Sequence, residues 1–174
     1  MAHREQIEYM LIVKQKFPEK FKNCRVLDIG SLDLNGNNRY LFENYKYIGV
    51  DVGYGENVDV VCRGHEFIDN QKFDIVISTE CLEHDEFWEK TLQNMVRLTK
   101  PNGLMLLSCA TTGRPEHGTT ATSPADSPFT NEYYRNLTVN DVDFAIKTQN
   151  NFKQYEFKTI TSPSCDLYFW GIKK

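Results

Sequence analysis

The sequence has no apolar run approaching the ~18 residues that a bilayer-crossing helix needs, no basic cluster and no C-x-x-C pair. The first absence leaves no membrane span to expect. The second disfavours a nucleic-acid partner, because non-specific binding to phosphates needs clustered Lys and Arg. Here 24 Asp and Glu outweigh 20 Lys and Arg, for a net charge of −4. The third bears on the five cysteines, Cys24, Cys62, Cys81, Cys109 and Cys165. Odd in number and widely spaced, they read as buried free thiols in a reducing compartment rather than a disulfide framework or a zinc site. Residues 1–8 lack the apolar core of a secretory signal, so a cytoplasmic location is expected. The dinucleotide fingerprint G-x-G-x-x-G is also missing, since Gly30 is followed by Leu32 where a second glycine would stand.

What is present suits one globular domain, 1–174, long enough to bury a sizeable core, with 40% hydrophobic and 13% aromatic residues. The chain is organised around residues 24–36, Cys-Arg-Val-Leu-Asp-Ile-Gly-Ser-Leu-Asp-Leu-Asn-Gly. An apolar run ends in Gly30, a polar loop follows with Gly36, and apolar residues return at Leu41 and Phe42. That pattern predicts a buried parallel strand, a tight turn and a helix start, an arrangement that brings backbone N–H groups against a ligand. Asp28 stands at the strand end, facing whatever the loop holds. Asp51 closes a second apolar run 21 residues after Gly30, where a carboxylate can accept hydrogen bonds from ribose hydroxyls. A nucleoside-bearing cofactor is the expectation.

Along the rest of the chain, Ile7, Met10, Leu11 and Phe17 predict a helix in the 1–22 segment. Residues 39–44 are expected to complete a helix after the glycine loop. Strands are expected at 45–52, 57–61, 72–78 and 104–110, with a helix over 87–98 stopped by Pro101 and Gly103. Residues 111–135 are rich in Thr, Ser, Pro and Gly and carry no period, which marks a substrate or lid loop. Thr138 and Asp141 form a capping-box pattern for a helix to about 149, and two strands, 153–160 and 167–172, can pair antiparallel across Pro163. Alternating strands and helices predict a Rossmann-like, doubly wound α/β fold with a mostly parallel sheet and helices on both faces.

Five stretches in register resemble the class I S-adenosylmethionine-dependent methyltransferases: Val26-Leu-Asp-Ile-Gly30, Gly49-Val-Asp51, Phe73-Asp-Ile-Val-Ile-Ser78, Cys81-Leu-Glu-His84 and Leu98-Thr-Lys-Pro-Asn-Gly103. The resemblance implies a seven-stranded sheet in the order 3-2-1-4-5-7-6, with strand 7 antiparallel. It implies S-adenosyl-L-methionine as cofactor and S-adenosyl-L-homocysteine as product. Asp28, Gly30 and Ser31 would then meet the methionine moiety, Asp51 the ribose and Val52 the adenine. Gly64 and His65 would flank the adenine, and Ser78, Thr79 and Glu80 would border the sulfonium. The chain departs from the family at Leu32 and Leu34, where glycines are common, and at Arg63, where an acidic residue often stands. Tyr133-Tyr-Arg-Asn-Leu-Thr138 is similar to a segment of members associated with glycan or cell-envelope biosynthesis.

Methyl transfer is an in-line displacement in which proximity does much of the work, and a hydroxyl or ammonium acceptor must also lose a proton. His84 and Glu80 are the candidate catalytic groups, His84 as base and Glu80 beside the sulfonium or an acceptor amine. Arg114, His117, Tyr133, Tyr134 and Arg135 are candidates for binding an acidic or hydroxylated acceptor. Glu80, Glu83 and His84 hint at metal ligation, but no second histidine is near in sequence, so no metal is expected. The implied partner is a small-molecule or glycan acceptor, with a homodimer or a partner subunit left open. The rival readings are a catalytically silent cofactor-binding subunit and a nicotinamide-dependent oxidoreductase.

Overall fold

The structure is a computed structural model that describes residues 3–130 and 132–174. Met1 and Ala2, in the expected N-terminal helical segment, and Asn131, in the expected 111–135 loop, lie outside the described residues. Among the described residues, seven strands form one sheet: β1 (Arg25–Ile29), β2 (Lys46–Asp51), β3 (Val60–Val61), β4 (Phe73–Thr79), β5 (Thr99–Ala110), β6 (Phe152–Ile160) and β7 (Asp166–Lys173). Their order is β3-β2-β1-β4-β5-β7-β6. The first five pair in parallel, and β7 runs antiparallel to both β5 and β6. This is the sheet the resemblance implied.

Among the described residues, four α-helices cover it: α1 (Arg4–Lys16), α2 (Trp88–Leu98), α3 (Val139–Ile146) and α4 (Thr148–Asn151). The central strands β1 and β4 are apolar because both faces are covered, so inward positions alternate between two cores. Leu27, Ile29 and Val76 face a core completed by Leu92 and Met95 of α2 and by Val142 and Ile146 of α3. Val26, Ile75 and Ile77 face the other, where Tyr9, Met10 and Val13 of α1 pack with Phe21, Leu41 and Phe42. Each fully buried Leu, Met or Ile contributes about 1.5–3 kcal/mol relative to exposure.

Thr138 and Asp141 make the expected capping box. The helix it starts ends at Ile146, not 149, because Lys147 takes a left-handed conformation (φ 47°) before the short α4. The helix expected over 39–44 is a single 3-10 turn, Arg39–Leu41, after which the chain extends at Phe42. The sheet face that such a helix would cover is filled by Leu41 and Phe42, with Phe21 stacked on Phe42 at 5.5 Å. The third strand is only two residues long. Pro101 and Gly103 do not stop α2, which ends at Leu98. They lie in β5, where the register with β4 slips between the Phe73 and Ile75 pairs.

Candidate functional site

A cavity of 590 Å³ opens beyond the carboxyl ends of β1, β2 and β4, the position where doubly wound sheets bind ligands. Asp28, Gly30, Ser31, Asp51, Val52, Gly64, Thr79, Glu80 and His84 all line it. His65 and Ser78 do not: the His65 ring packs tilted against Phe87 with centroids 4.5 Å apart, and Ser78 is fully buried within β4.

Parallel strands end side by side, which is why residues far apart in sequence converge here. Asp28 is buried at the end of β1, where one carboxylate oxygen accepts hydrogen bonds from the Asn38 amide (3.3 Å) and from the Tyr47 hydroxyl. Its other oxygen has no protein partner. Burial pushes the Asp28 carboxyl up to about 6, although the bonds from Tyr47 and Asn38 pull the other way. Gly30 follows at φ +81°, and a Cβ there would collide with the Cys81 side chain. Only glycine fits both the backbone and the space.

The loop after it follows its path without the usual glycines. Asp33 accepts from the Gly36 amide (2.7 Å) and the Asn37 side chain (2.7 Å), while Leu32 and Leu34 line the cavity. Asp51 holds that loop from the next strand, its two carboxylate oxygens accepting from Leu32 N (3.1 Å) and Gly53 N (2.9 Å). Burial raises its pKa against the pull of these bonds. Arg63 also lines the cavity and pairs with Glu86 at 3.1 Å.

Glu80 leaves the end of β4 with φ +50°, a conformation non-glycine residues adopt at a cost of about 1–3 kcal/mol and often at functional sites. Oε1 accepts from Ser108 Oγ at 2.6 Å, and the buried Oε2 has no hydrogen-bond partner, with His3 Nε2 at 3.8 Å. His84 closes the same side of the cavity. Burial, and then the nearby His117, push its imidazole down to about 3. A base this weak takes up a proton only with difficulty at neutral pH.

None of the five expected acceptor residues lines the cavity. Arg114 is held by Asp166 (3.3 Å) and the Ser164 carbonyl, and Arg135 by Asp141 (2.8 Å) over the Trp88 ring. Tyr133 is half-buried away from it. His117 and Tyr134 reach the site through His84, with ring centroids 4.9 and 5.5 Å from it. Gln6, Asn38, Tyr40 and residues 126–130, including Phe129, line the cavity without having been singled out in the sequence. Their signals, isolated polar residues and one aromatic in a loop, acquire meaning only once the chain folds back.

The fold and the cavity define a class I, Rossmann-like methyltransferase architecture. The family described as "Methyltransferase domain" matches residues 1–137, and the chain belongs to it. A search of curated proteins finds no match. Among solved structures, Haemonchus contortus phosphoethanolamine N-methyltransferase 2, in complex with phosphomonomethylethanolamine and S-adenosylhomocysteine, is 20% identical with a TM-score of 0.62. That alignment covers 88% of this chain and only 39% of the Haemonchus chain. Burkholderia thailandensis 1,6-didemethyltoxoflavin-N1-methyltransferase is 15% identical, with a TM-score of 0.62 and coverage of 100% and 92%. The N-methyltransferase NodS of Bradyrhizobium japonicum is 12% identical, with a TM-score of 0.62 and coverage of 98% and 87%. At these identities the likeness is one of fold.

Proposed function

We propose that this chain transfers a methyl group from S-adenosylmethionine to a small-molecule or sugar-containing acceptor. The observation that carries the reading is the cavity at the strand ends, with Asp28 and Asp51 on one side and Glu80 and His84 on another. Its residues fit the cofactor. The unpartnered oxygen of buried Asp28 suits the ammonium of a methionine moiety, and the bare backbone at Gly30 admits its close approach. Asp51 keeps lone pairs for ribose hydroxyls beyond its two backbone bonds. Val52 and Gly64 supply apolar walls for adenine. When bound, S-adenosylmethionine supplies an electrophilic methyl group on a sulfonium whose thioether leaves without acid assistance.

The chain's own part is placement and charge. Thr79 and Glu80 border the reacting end, and the Glu80 carboxylate holds negative potential there. Residues 126–130 wall off the cavity, which favours a small acceptor over a macromolecular surface. All five cysteines are free, which supports a reducing compartment and hence a cytoplasmic location.

Thermal shift with S-adenosylmethionine, S-adenosylhomocysteine and NAD tests the reading. The two S-adenosyl compounds should stabilise the protein, and Asp51→Ala should abolish the shift. Stabilisation by NAD alone, or an unchanged shift in Asp51→Ala, contradicts it. Incubation with labelled cofactor and hydroxylated or acidic acceptors should then transfer label. Tight cofactor binding with no transfer to any acceptor would favour a silent binding subunit.

A further inference from the structure

Sequence distance hides a second constellation. Glu83 and His84 sit on the 3-10 turn Leu82–His84 after β4, and the loop after β5 folds His117 back onto them. One ligand atom from each of these three side chains lies within 4.8 Å of the other two. We propose that Glu83, His84 and His117 form a binding site for a first-row divalent metal ion, of which Zn²⁺ suits the donor set best.

Three observations carry this. First, the interior holds polar atoms with no hydrogen-bond partner. Glu83 is fully buried; Oε1 accepts from Ala110 N (3.2 Å) and Oε2 has no partner, and the buried Nδ1 of His84 has none either. Unpartnered buried polar atoms are costly, and a cation bound among these side chains would satisfy them. Neither arginine near the cluster supplies it, since Arg114 is engaged by Asp166 and Arg135 by Asp141.

Second, His117 is prepared as a ligand. Its Nδ1 lies 3.1 Å from the Pro115 carbonyl, which can only accept, so the ring proton sits on Nδ1 and the Nε2 lone pair is free. A backbone carbonyl on the far nitrogen is the usual second-layer support of a metal-bound histidine. The Tyr134 ring packs on both imidazoles, at 4.9 and 5.5 Å, and its hydroxyl donates to Pro115 O (3.2 Å) or Asn136 Oδ1 (2.8 Å).

Third, the enclosure is tight. Gly118 (φ +71°) brings backbone so near that a Cβ would stand 2.6 Å from His84 Cε1. A dication there would offset the cost of burying the Glu83 carboxylate.

Two imidazoles and one carboxylate with an open position form a donor set that zinc uses in catalysis, and other first-row divalent ions also accept it. His84 borders the cavity. An ion held there would polarise an acceptor hydroxyl at the open position and lower its pKa, the proton passing to solvent water in the cavity, a task a weakly basic His84 performs poorly. This last step rests on the methyl-transfer reading. The metal site does not.

The test uses the full chain, stripped with chelator and titrated with Zn²⁺ by calorimetry, then with Co²⁺ followed by visible d–d absorption. One ion per chain with micromolar or tighter affinity is expected. His117→Ala, in a loop, and Glu83→Gln, isosteric in the interior, should each weaken binding at least ~10-fold. Both should keep the S-adenosylmethionine thermal shift, which reports an intact fold. His3→Ala should bind metal as the wild type does, because its imidazole stands on Asp166 and Glu80 instead. No one-to-one binding, or an affinity that His117→Ala and Glu83→Gln leave unchanged, overturns the proposal. Loss on His3→Ala alone would place the ion at the His3, Glu80 and Asp166 cluster and overturn it equally.

Discussion

Asp28 shows how one buried carboxyl couples folding to ligand binding. Its native pKa of about 6 lies above the ordinary 3.8, so ionising it costs the ligand-free protein stability as pH rises through that interval. An ammonium placed against its unpartnered oxygen favours the ionised form and returns that cost as affinity. The sign follows: below about pH 6 a cofactor must drive off a proton, so its affinity falls by up to about tenfold for each pH unit. Calorimetric affinity for S-adenosylhomocysteine measured across that range should show this slope in the wild type and lose it in Asp28→Asn. A flat wild-type profile would separate Asp28 from the ammonium. Part of this was legible in the sequence, because a strand ending in Asp-Ile-Gly fixes where the carboxylate points. Its partners Asn38 and Tyr47 were not, since one lies in a polar loop and the other at an alternating strand position with nothing to distinguish it.

At the scale of elements, apolar runs made the central strands legible, and the hairpin of β6 and β7 followed from their short connection. The segment after the glycine loop misled because Leu41 and Phe42 return at a spacing a helix could also use, while burial against Phe21 decided for a turn. The 111–135 loop could be recognised as a lid or binding segment but not aimed. Its effective part is residues 126–130, which fold over the cavity and set Phe129 against Gly53 and Tyr54, with ring centroids 5.9 Å apart. Phe129 is 43% exposed and belongs to neither core, so it contributes little to folding. Near Val52 it is placed to cover an adenine. Phe129→Ala should therefore leave the melting temperature of the ligand-free protein nearly unchanged and weaken S-adenosylhomocysteine about tenfold, the loss of roughly 1.4 kcal/mol of aromatic contact. Unchanged affinity would mean that this loop walls the cavity without touching the cofactor.

At the scale of the whole molecule, His3 ties together regions that are remote in sequence. It stands at the start of α1, and its Nε2 is 3.0 Å from Asp166, at the start of β7, and 3.8 Å from Glu80, at the end of β4. Asp166 is fully buried and also holds Arg114 and the Tyr168 hydroxyl (2.9 Å). Burial opposes charge on His3, but the carboxylates of Asp166 and Glu80 outweigh it and carry the imidazole from 6.5 up to about 10. In the charged ring Nδ1–H donates to Glu5 (3.1 Å), so the 3.4 Å approach of the Gln6 amide to that atom acts as a helix cap only once the ring is neutral. Because the native pKa is raised, the stability this ion pair contributes is fully present below pH 6.5 and is lost as pH climbs toward 10. His3→Gln keeps a polar side chain and removes the titration. The melting-temperature gap between wild type and His3→Gln should be widest below pH 6.5 and close by pH 10. Since Glu80 also lines the cavity, replacing His3 removes the positive charge 3.8 Å from its second carboxylate oxygen, so that the same variant should alter cofactor affinity at neutral pH. A stability gap that does not vary with pH would reduce His3 to a packing contact and sever this link between the first helix and the site.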